Sequence, residues 1–201
     1  MQIGIIGAGN IGRALARRLA GVGVGAAISN SRGADTLAAL VRDLGAGIKA
    51  AERQEAAKAD IVFLAVPWSA HAEAVSGLPP WGGRIVIDAM NAASIGPGGF
   101  RPLDLGGRPS TEVVAERLPG ARVVKAFNTL TAAVLAKDPR EAGGNRVVFM
   151  SGVDADAKAT VARLIQQLGF APVDLGDFEA GRRVQQFPGG ALAALNLVQF
   201  A

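Results

Sequence analysis

The sequence predicts a single α/β domain built on a doubly wound, mostly parallel sheet. Strand-like and helix-like segments alternate along the 201 residues, which is the pattern of repeated β-α units. The strand-like segments are continuous apolar runs, as at residues 61–66, and such runs are typical of strands covered on both faces. A glycine-rich turn joins the first strand to the first helix, at residues 7–12.

The elements follow from these patterns in chain order. Strands are expected at residues 2–6, 25–29, 60–66, 84–88, 121–126, 146–151 and 170–174. Helices are expected at residues 10–21, 33–45, 69–77, 109–118, 129–136 and 154–168. The last of these helices carries one apolar stripe, formed by Val161, Leu164, Ile165 and Leu168.

Two segments stand outside the alternation. Residues 91–108 are rich in glycine and proline and predict a loop, and a loop of that length is usually functional or mobile. Residues 187–201 form an apolar tail, which either folds onto its own domain or packs in a dimer interface; we favour the interface. Because the chain shows no linker and no repeat, we expect one domain over residues 1–201.

Composition excludes several classes of protein. Half of the residues are hydrophobic and 19% are charged, so the chain is expected to be globular. No apolar stretch reaches the roughly 18 residues that cross a bilayer, and the first residues already form a strand, so we expect neither a membrane span nor a signal peptide. Cysteine is absent, which excludes thiolate metal sites and makes the cytoplasm the expected location.

The polar composition narrows the chemistry. The chain has no tyrosine, which excludes a tyrosine proton donor, and its single histidine excludes a multi-histidine metal site. We therefore expect no metal. The net charge of +4 comes from scattered basic residues that do not alternate with aromatic ones. This distribution favours an anionic small ligand over nucleic acid.

The glycine-rich turn has the G-x-G-x-x-G spacing of dinucleotide-binding proteins, which makes the predicted fold Rossmann-type. Gly7 allows a tight turn, Gly9 allows a pyrophosphate to approach the backbone, and Gly12 allows the helix to pack on the strand. Free N–H groups at the start of the helix would hold the phosphates. The predicted pyrophosphate site consists of Gly7, Ala8, Gly9, Asn10, Ile11 and Gly12.

The end of the second strand indicates which dinucleotide binds. NAD-binding relatives of this fold place an acid there, whereas this chain has Asn30, Ser31 and Arg32. A hydroxyl and a guanidinium suit a ribose 2′-phosphate, so NADP(H) is favoured over NAD(H). The alternative is that Ser31 and Arg32 are only solvated residues at the start of the next helix.

The strand at residues 60–66 ends at the sheet edge where ligands of this fold bind, and Ala65, Val66 and Pro67 are therefore expected to line the cofactor site. Pro67 fixes the backbone in a turn over the cofactor, or it simply ends the strand. Trp68 is expected to serve packing.

Taken together, these motifs resemble the coenzyme F420-dependent NADP oxidoreductase family. The chain is also similar to the cytosolic NADPH-binding domain of the six-transmembrane metalloreductases, which passes hydride to a flavin. The resemblance rests on Asn30-Ser31-Arg32, Val66-Pro67-Trp68, Lys125-Ala126-Phe127-Asn128-Thr129 and residues 169–176.

This resemblance implies a homodimer with NADP on residues 7–12, Ser31, Arg32 and the Val66–Pro67 turn. It implies a second cofactor beside the nicotinamide, in a cleft formed by the Asn128 region and the loop after the strand at residues 84–88, which contains Asn91. The chain departs from the F420 enzymes at residues 88–93, which lack a proline, and at Asn128, which replaces a histidine of some members. The sequence therefore supports the binding of NADP(H) better than the use of F420 as the second cofactor.

Three side chains are candidates for a catalytic role. Lys125 could be an acid, or its stem could lie along the sheet edge with the ammonium in water. Asn128, with Thr129, could orient a nicotinamide or deazaflavin ring, or could cap the helix expected from residue 129. His71 could face the cofactor, although a surface histidine is favoured.

The predicted function is hydride transfer between NADP(H) and a deazaflavin (F420) or a flavin. Such a reaction needs stacking and exclusion of water but no protein nucleophile, which suits a chain without cysteine or tyrosine. Two alternatives stay open: an NADPH-dependent reductase of a small carbonyl or imine, and a non-catalytic NADPH-sensing module.

Overall fold

A computed structural model describes residues 1–45 and 47–200. The strands are β1 (Ile3–Ile6), β2 (Ala26–Ser29), β3 (Ile48–Ala50), β4 (Ile61–Leu64), β5 (Ile85–Asp88), β6 (Ala93–Gly96), β7 (Gly99–Pro102), β8 (Arg122–Ala126), β9 (Arg140–Glu141), β10 (Gly144–Gly152), β11 (Ala171–Asp174) and β12 (Val198–Gln199). The helices are α1 (Asn10–Gly21), α2 (Ala38–Leu44), α3 (Arg53–Ala56), α4 (His71–Val75), α5 (Ser110–Ala115), α6 (Ala132–Leu135), α7 (Ala155–Gln167) and α8 (Phe178–Gln185). Short 3₁₀ turns cover Ala34–Leu37 and Trp68–Ala70.

The main sheet has the strand order β11-β10-β8-β5-β4-β1-β2-β3. Strand β1 pairs in parallel with β2 on one side and with β4 on the other, so the strand order reverses at β1. The parallel run ends at β8, because β10 lies antiparallel to β8 and β11 is parallel to β10. The predicted fold class, a doubly wound and mostly parallel α/β sheet, is confirmed. Ligands of such sheets bind where the order reverses, at the carboxyl ends of the strands.

Both faces of the sheet are buried, as the continuous apolar strands predict. Within β4, Phe63 packs in the core cluster on one face together with Ile5 and Leu15. Its neighbour Leu64 packs on the opposite face together with Val86. Each of these side chains is almost fully removed from water, and burying a side chain of this size stabilises the fold by about 1.5–3 kcal/mol.

The structure corrects the prediction of a plain loop at residues 91–108. Part of this segment is a hairpin in which β6 and β7 pair antiparallel, with Ile95 opposite Phe100 and Gly96 opposite Gly99. The two-residue connection is Pro97-Gly98, a turn that the pattern of alternating residues did not reveal. Both large side chains of the hairpin are exposed, so the segment lacks the buried face that makes a strand recognisable.

Other differences have local causes. The helix expected at residues 129–136 begins only at Ala132, because the side chain of Thr131 caps it by accepting from the N–H of Val134. The helix expected at residues 33–45 is split into the 3₁₀ turn Ala34–Leu37 and α2. The sequence did not predict strands β3, β9 and β12 or helices α3 and α8. All of these except α8 are at most four residues long.

The described part of the tail folds back on its own sheet. Strand β12 pairs antiparallel with β10, and the N–H of Ala194 donates to the carbonyl of Thr129 at 2.9 Å. Leu195, Leu197 and Phe200 nevertheless stay exposed. Across residues 1–45 and 47–200, none of the helices combines the length and apolar character that spanning a membrane requires.

Candidate functional site

A cleft of about 440 Å³ opens at the carboxyl ends of β1, β2 and β4, where the strand order reverses. We call it the nucleotide cleft. It is formed by the glycine-rich turn, the loop after β2, the start of α3, and the segment that follows β4. Its walls include Gly7, Ala8, Gly9, Asn30, Ser31, Arg32, Gly33, Glu52, Arg53, Gln54, Ala65, Val66, Pro67, Ala70, Glu73 and Ala74.

Each glycine of the G-x-G-x-x-G motif has a separate structural reason. Gly7 has a φ of 114°, and a Cβ placed on it would lie 2.3 Å from the carbonyl oxygen of Ala65. A Cβ on Gly12 would lie 1.9 Å from the carbonyl oxygen of Gly7, so only glycine lets α1 pack this close to the turn. A Cβ on Gly9 would meet no atom within 4 Å. Gly9 therefore leaves open space on the cleft side, at the N-terminus of α1.

The loop after β2 is shaped by Asn30. Its side-chain oxygen accepts from the N–H of Arg32 at 2.8 Å, and its amide donates to Thr36 Oγ1 at 2.8 Å. Ser31 and Arg32 precede the 3₁₀ turn, are exposed, and line the cleft. Among the described residues, the Arg32 guanidinium has no hydrogen-bond or ion-pair partner. It is therefore available to an anion in the cleft.

Three charged residues of the cleft were not predicted from the sequence. Glu52 and Arg53 follow the short edge strand β3, and Glu73 lies in α4. The Glu52 carboxylate accepts from the N–H of Ala34 at 2.8 Å, and the Arg53 guanidinium donates to the carbonyl of Glu73. Glu52 and Arg53 could have been found from the alternating apolar and polar residues of β3. This strand is parallel to β2, so its carboxyl end lies at the same edge of the sheet as the carboxyl ends of β1, β2 and β4.

The segment after β4 places Pro67 at the cleft and turns the next side chains inward. Trp68 is buried, as expected for a packing residue, and stacks on His71 with ring centroids 4.4 Å apart. His71 is buried too, so the prediction of a surface histidine is wrong. Its Nδ1 lies at hydrogen-bond distance from the carbonyl of Trp68, and its buried Nε2 has no partner within the described residues.

Asn91 and Asn128 lie together but do not line the nucleotide cleft. The Asn128 amide donates to Asn91 Oδ1 at 3.0 Å and to the carbonyl of Gln185 at 2.7 Å, and its oxygen accepts from Gln185 Nε2 at 2.9 Å. Phe127 precedes it with a φ of 65°, a left-handed conformation that turns the chain at the end of β8. Asn128 thus ties α8 to the sheet, and the alternative of a helix cap is wrong because Thr131 has that role.

Lys125 lies within the sheet rather than at its edge, between β5 and β10. Its side chain is 6% exposed, so the alternative with the ammonium in water is wrong. The ammonium donates to Asp88 Oδ2 at 3.0 Å, to the carbonyl of Met90 at 2.6 Å and to Ser110 Oγ at 3.3 Å. Asp88 Oδ2 also accepts from Thr111. The ion pair holds the start of the loop that leads to Asn91.

The structure thus divides the predicted site residues into three groups. The loop and turn residues Gly7, Ala8, Gly9, Asn30, Ser31, Arg32, Ala65, Val66 and Pro67 share one cleft. Asn10, Ile11 and Gly12 form the first turn of α1 beside it. Asn91, Asn128, Lys125 and His71 lie outside the cleft wall. Among the described residues, no group of acidic and histidine side chains is arranged to hold a metal ion.

The fold and the cleft define a dinucleotide-binding protein of the Rossmann type. Residues 2–92 match the family model described as NADP oxidoreductase coenzyme F420-dependent. The matched residues include strands β1 to β5 and the whole wall of the nucleotide cleft.

The chain is also similar to three other proteins. The hypothetical protein SMa0349 from Sinorhizobium meliloti is 52% identical, with a TM-score of 0.94 over 99% of this chain and 96% of that one. A protein from Arthrobacter sp. FB24, named as a candidate F420-dependent NADP reductase, is 29% identical with a TM-score of 0.75 over 90% of this chain and 87% of its own. Metalloreductase STEAP3 from Rattus norvegicus is 30% identical over 93% of this chain, and the chain spans only 36% of that protein's length.

Proposed function

We propose that this protein binds NADP(H) in the nucleotide cleft and catalyses hydride transfer between it and a deazaflavin (F420) or a flavin. The binding of NADP(H) is supported above all by Arg32, which lies on the cleft wall next to Ser31 and the end of β2. Its guanidinium has no partner among the described residues. A 2′-phosphate would accept hydrogen bonds from both side chains.

The residues of the cleft fit such a ligand. Open space at Gly9 admits a pyrophosphate against the first N–H groups of α1, which have no side-chain cap. Val66 and Pro67 form the opposite wall, and the fixed φ of Pro67 keeps that wall rigid. When bound, NADPH supplies a hydride from its nicotinamide ring. The contribution of the protein is to bind, orient and exclude water.

The surroundings of the cleft favour a planar hydride carrier as the second reactant. The hairpin strand β6 lies against the Trp68–Ala70 turn, and the exposed side chains of Ile95 and Phe100 offer apolar surface for a ring. Reduction of a carbonyl or imine would need a proton donor, but the ammonium of Lys125 and the amide of Asn128 are engaged in hydrogen bonds inside the protein, and His71 does not line the cleft.

The same proposal includes a homodimer in the cytoplasm. The exposed apolar side chains of the tail, Leu195, Leu197 and Phe200, are surface that a second copy would cover. The absence of cysteine suits a reducing compartment. Sedimentation of the purified protein measures the dimer directly, and a monomer at micromolar concentration would contradict it.

The acceptor is tested by mixing the protein with NADPH and, in turn, F420, FMN, FAD, a quinone, a small ketone and a small cyclic imine. We follow the near-ultraviolet absorbance of the reduced nicotinamide and expect oxidation with F420 or a flavin. Oxidation by a carbonyl or imine substrate alone would overturn the acceptor class. Tight NADPH binding without oxidation by any compound would replace the enzyme by an NADPH sensor.

The nucleotide is tested with Arg32→Ala. Loss of charge-assisted hydrogen bonds should weaken NADPH binding roughly ten- to hundredfold, while NADH binding changes little. Titration calorimetry with both nucleotides measures the two dissociation constants. Arg17→Ala is the matched control, since Arg17 is exposed on α1 and lies outside the cleft. An equal loss for NADPH and NADH in Arg32→Ala would contradict the 2′-phosphate assignment.

A further inference from the structure

Glu52 brings a carboxylate to the end of the nucleotide cleft where the second strand has no acid. Glu52 is the N-cap residue of α3, but its side chain does not cap its own helix. Its Oε1 instead accepts from the N–H of Ala34 at 2.8 Å, and lies 3.7 Å from the place that a Cβ on Gly33 would take. The carboxylate therefore lies against the same loop that carries Ser31 and Arg32.

This carboxylate has no local counterion among the described residues. Glu52 forms no ion pair within the described residues, although Arg32 and Arg53 line the same cleft. The nearest hydrogen bond it accepts comes from a neutral backbone group. Its negative charge is thus free to act on whatever occupies this end of the cleft.

Such a charge affects the two nicotinamide dinucleotides in opposite directions. A ribose 2′-hydroxyl donates a hydrogen bond, and an acidic residue near the end of the second strand is the usual acceptor for it. A 2′-phosphate carries negative charge and is repelled by the same carboxylate. Arg32 and Glu52 therefore have opposite effects on the binding of a 2′-phosphate. The sequence around the second strand reveals only Arg32, because Glu52 lies after a different strand, β3.

We propose that Glu52 is a specificity-determining residue. Its carboxylate reduces the selectivity of the cleft for NADP(H) over NAD(H). This inference rests on the proposed function, since it takes the loop of Ser31 and Arg32 as the place of the 2′-substituent. It makes NADH a usable, weaker ligand of the same cleft.

Glu52→Gln tests the charge alone, because glutamine keeps the length of the side chain and an oxygen that can accept from the N–H of Ala34. We expect the ratio of the NADH to the NADPH dissociation constant to rise roughly three- to tenfold, through tighter NADPH and weaker NADH binding. Glu52→Asp keeps the charge and should leave the ratio near that of the unchanged protein. Thermal unfolding of the free protein should stay the same in Glu52→Gln.

The matched control is Glu55→Gln, on the same short helix, since Glu55 is exposed, pairs with Lys58 and does not line the cleft. A ratio that is unchanged or lower in Glu52→Gln, or that rises equally in Glu55→Gln, overturns the inference. If Arg32→Ala weakens NADPH alone while Glu52→Gln has no effect, this inference fails and the proposed function stands. If Arg32→Ala weakens both nucleotides equally, the nucleotide assignment fails and the role of Glu52 falls with it.

Discussion

The carboxyl edge of the sheet has two polar regions with opposite properties. In the nucleotide cleft over β1, β2 and β4, the side chains of Ser31 and Arg32 are exposed, and the guanidinium has no protein partner within the described residues. Over β5, β8 and β10 lies a second region, which we call the buried polar cluster. It consists of Asp88, Asn91, Thr111, Lys125, Asn128, Ser151 and Gln185.

Within the buried polar cluster the hydrogen bonds are internal. Ser151 Oγ donates to Gln185 Oε1 at 2.8 Å, and Gln185 in turn donates to Asn128. A Cβ on Gly181 would lie 2.3 Å from Ser151 Oγ, so α8 approaches the sheet as closely as a glycine permits. Polar groups that are buried and satisfied hold a fold in one arrangement, whereas exposed and unsatisfied ones are available to a ligand. We therefore expect the first region to bind a ligand and the second to hold the strands and α8 in place.

The largest effect that tests this division is expected from Lys125→Met. Removing the ammonium leaves the fully buried carboxylate of Asp88 without its counterion, which should lower the free energy of unfolding by about 3–5 kcal/mol. Urea denaturation measures the loss. Lys58→Met is the matched control, because Lys58 forms an exposed pair with Glu55 and should cost less than about 1 kcal/mol.

A different outcome would give Lys125 a role in the reaction rather than in stability. If Lys125→Met is as stable as the unchanged protein and binds NADPH equally well but transfers hydride much more slowly, then Lys125 acts in the reaction. The division between the two regions would then be wrong at this residue.

A smaller loss is expected from Asn128→Ala. The change removes two donated hydrogen bonds and leaves Gln185 Nε2 without a close acceptor, which should cost about 2–3 kcal/mol of stability. Asn145→Ala, at a half-buried asparagine of β10 without a side-chain hydrogen bond, is the control and should cost much less. Unchanged stability in Asn128→Ala together with weaker nucleotide binding would show that Asn128 belongs to the ligand site.

The two regions also differ in how far the sequence could predict them. The nucleotide cleft depends on short-range signals: the spacing of Gly7, Gly9 and Gly12, the Ser31–Arg32 pair after β2, and Pro67 after β4. Each is read from the residues beside a strand end, and the parallel topology brings those ends together. The sheet itself was predictable for the same reason, because buried parallel strands are continuous apolar runs.

The buried polar cluster depends on contacts between distant parts of the chain. Asn128 and Gln185 are 57 positions apart, and Lys125 is 37 positions from Asp88. The local sequence of Lys125 is compatible with an exposed strand end, but its ammonium is bound by Asp88, Met90 and Ser110, which lie 15 to 37 positions away. Glu52 was missed for a related reason, since its partner Ala34 lies 18 positions away, across an edge strand too short to recognise. Long-range pairing, rather than residue type, decides these positions.

Gly9→Ala is expected to have the smallest effect on stability. It should weaken nucleotide binding while leaving the fold intact. Gly9 has a φ of −75° and open space where a Cβ would stand, so the fold should tolerate alanine with a loss of less than about 1 kcal/mol. The new methyl group would occupy space needed by a pyrophosphate, and NADPH binding should weaken about tenfold or more. Calorimetry and thermal unfolding of one preparation measure both quantities.

Gly12→Ala is the matched variant for this test, because its Cβ would lie 1.9 Å from the carbonyl oxygen of Gly7 and must displace the backbone. It should therefore unfold at a clearly lower temperature, whereas Gly9→Ala should not. If Gly9→Ala binds NADPH as tightly as the unchanged protein, the pyrophosphate does not approach the turn at Gly9. The open region of the sheet edge would then have to bind its ligand elsewhere along the cleft, and the glycine spacing would reflect helix packing alone.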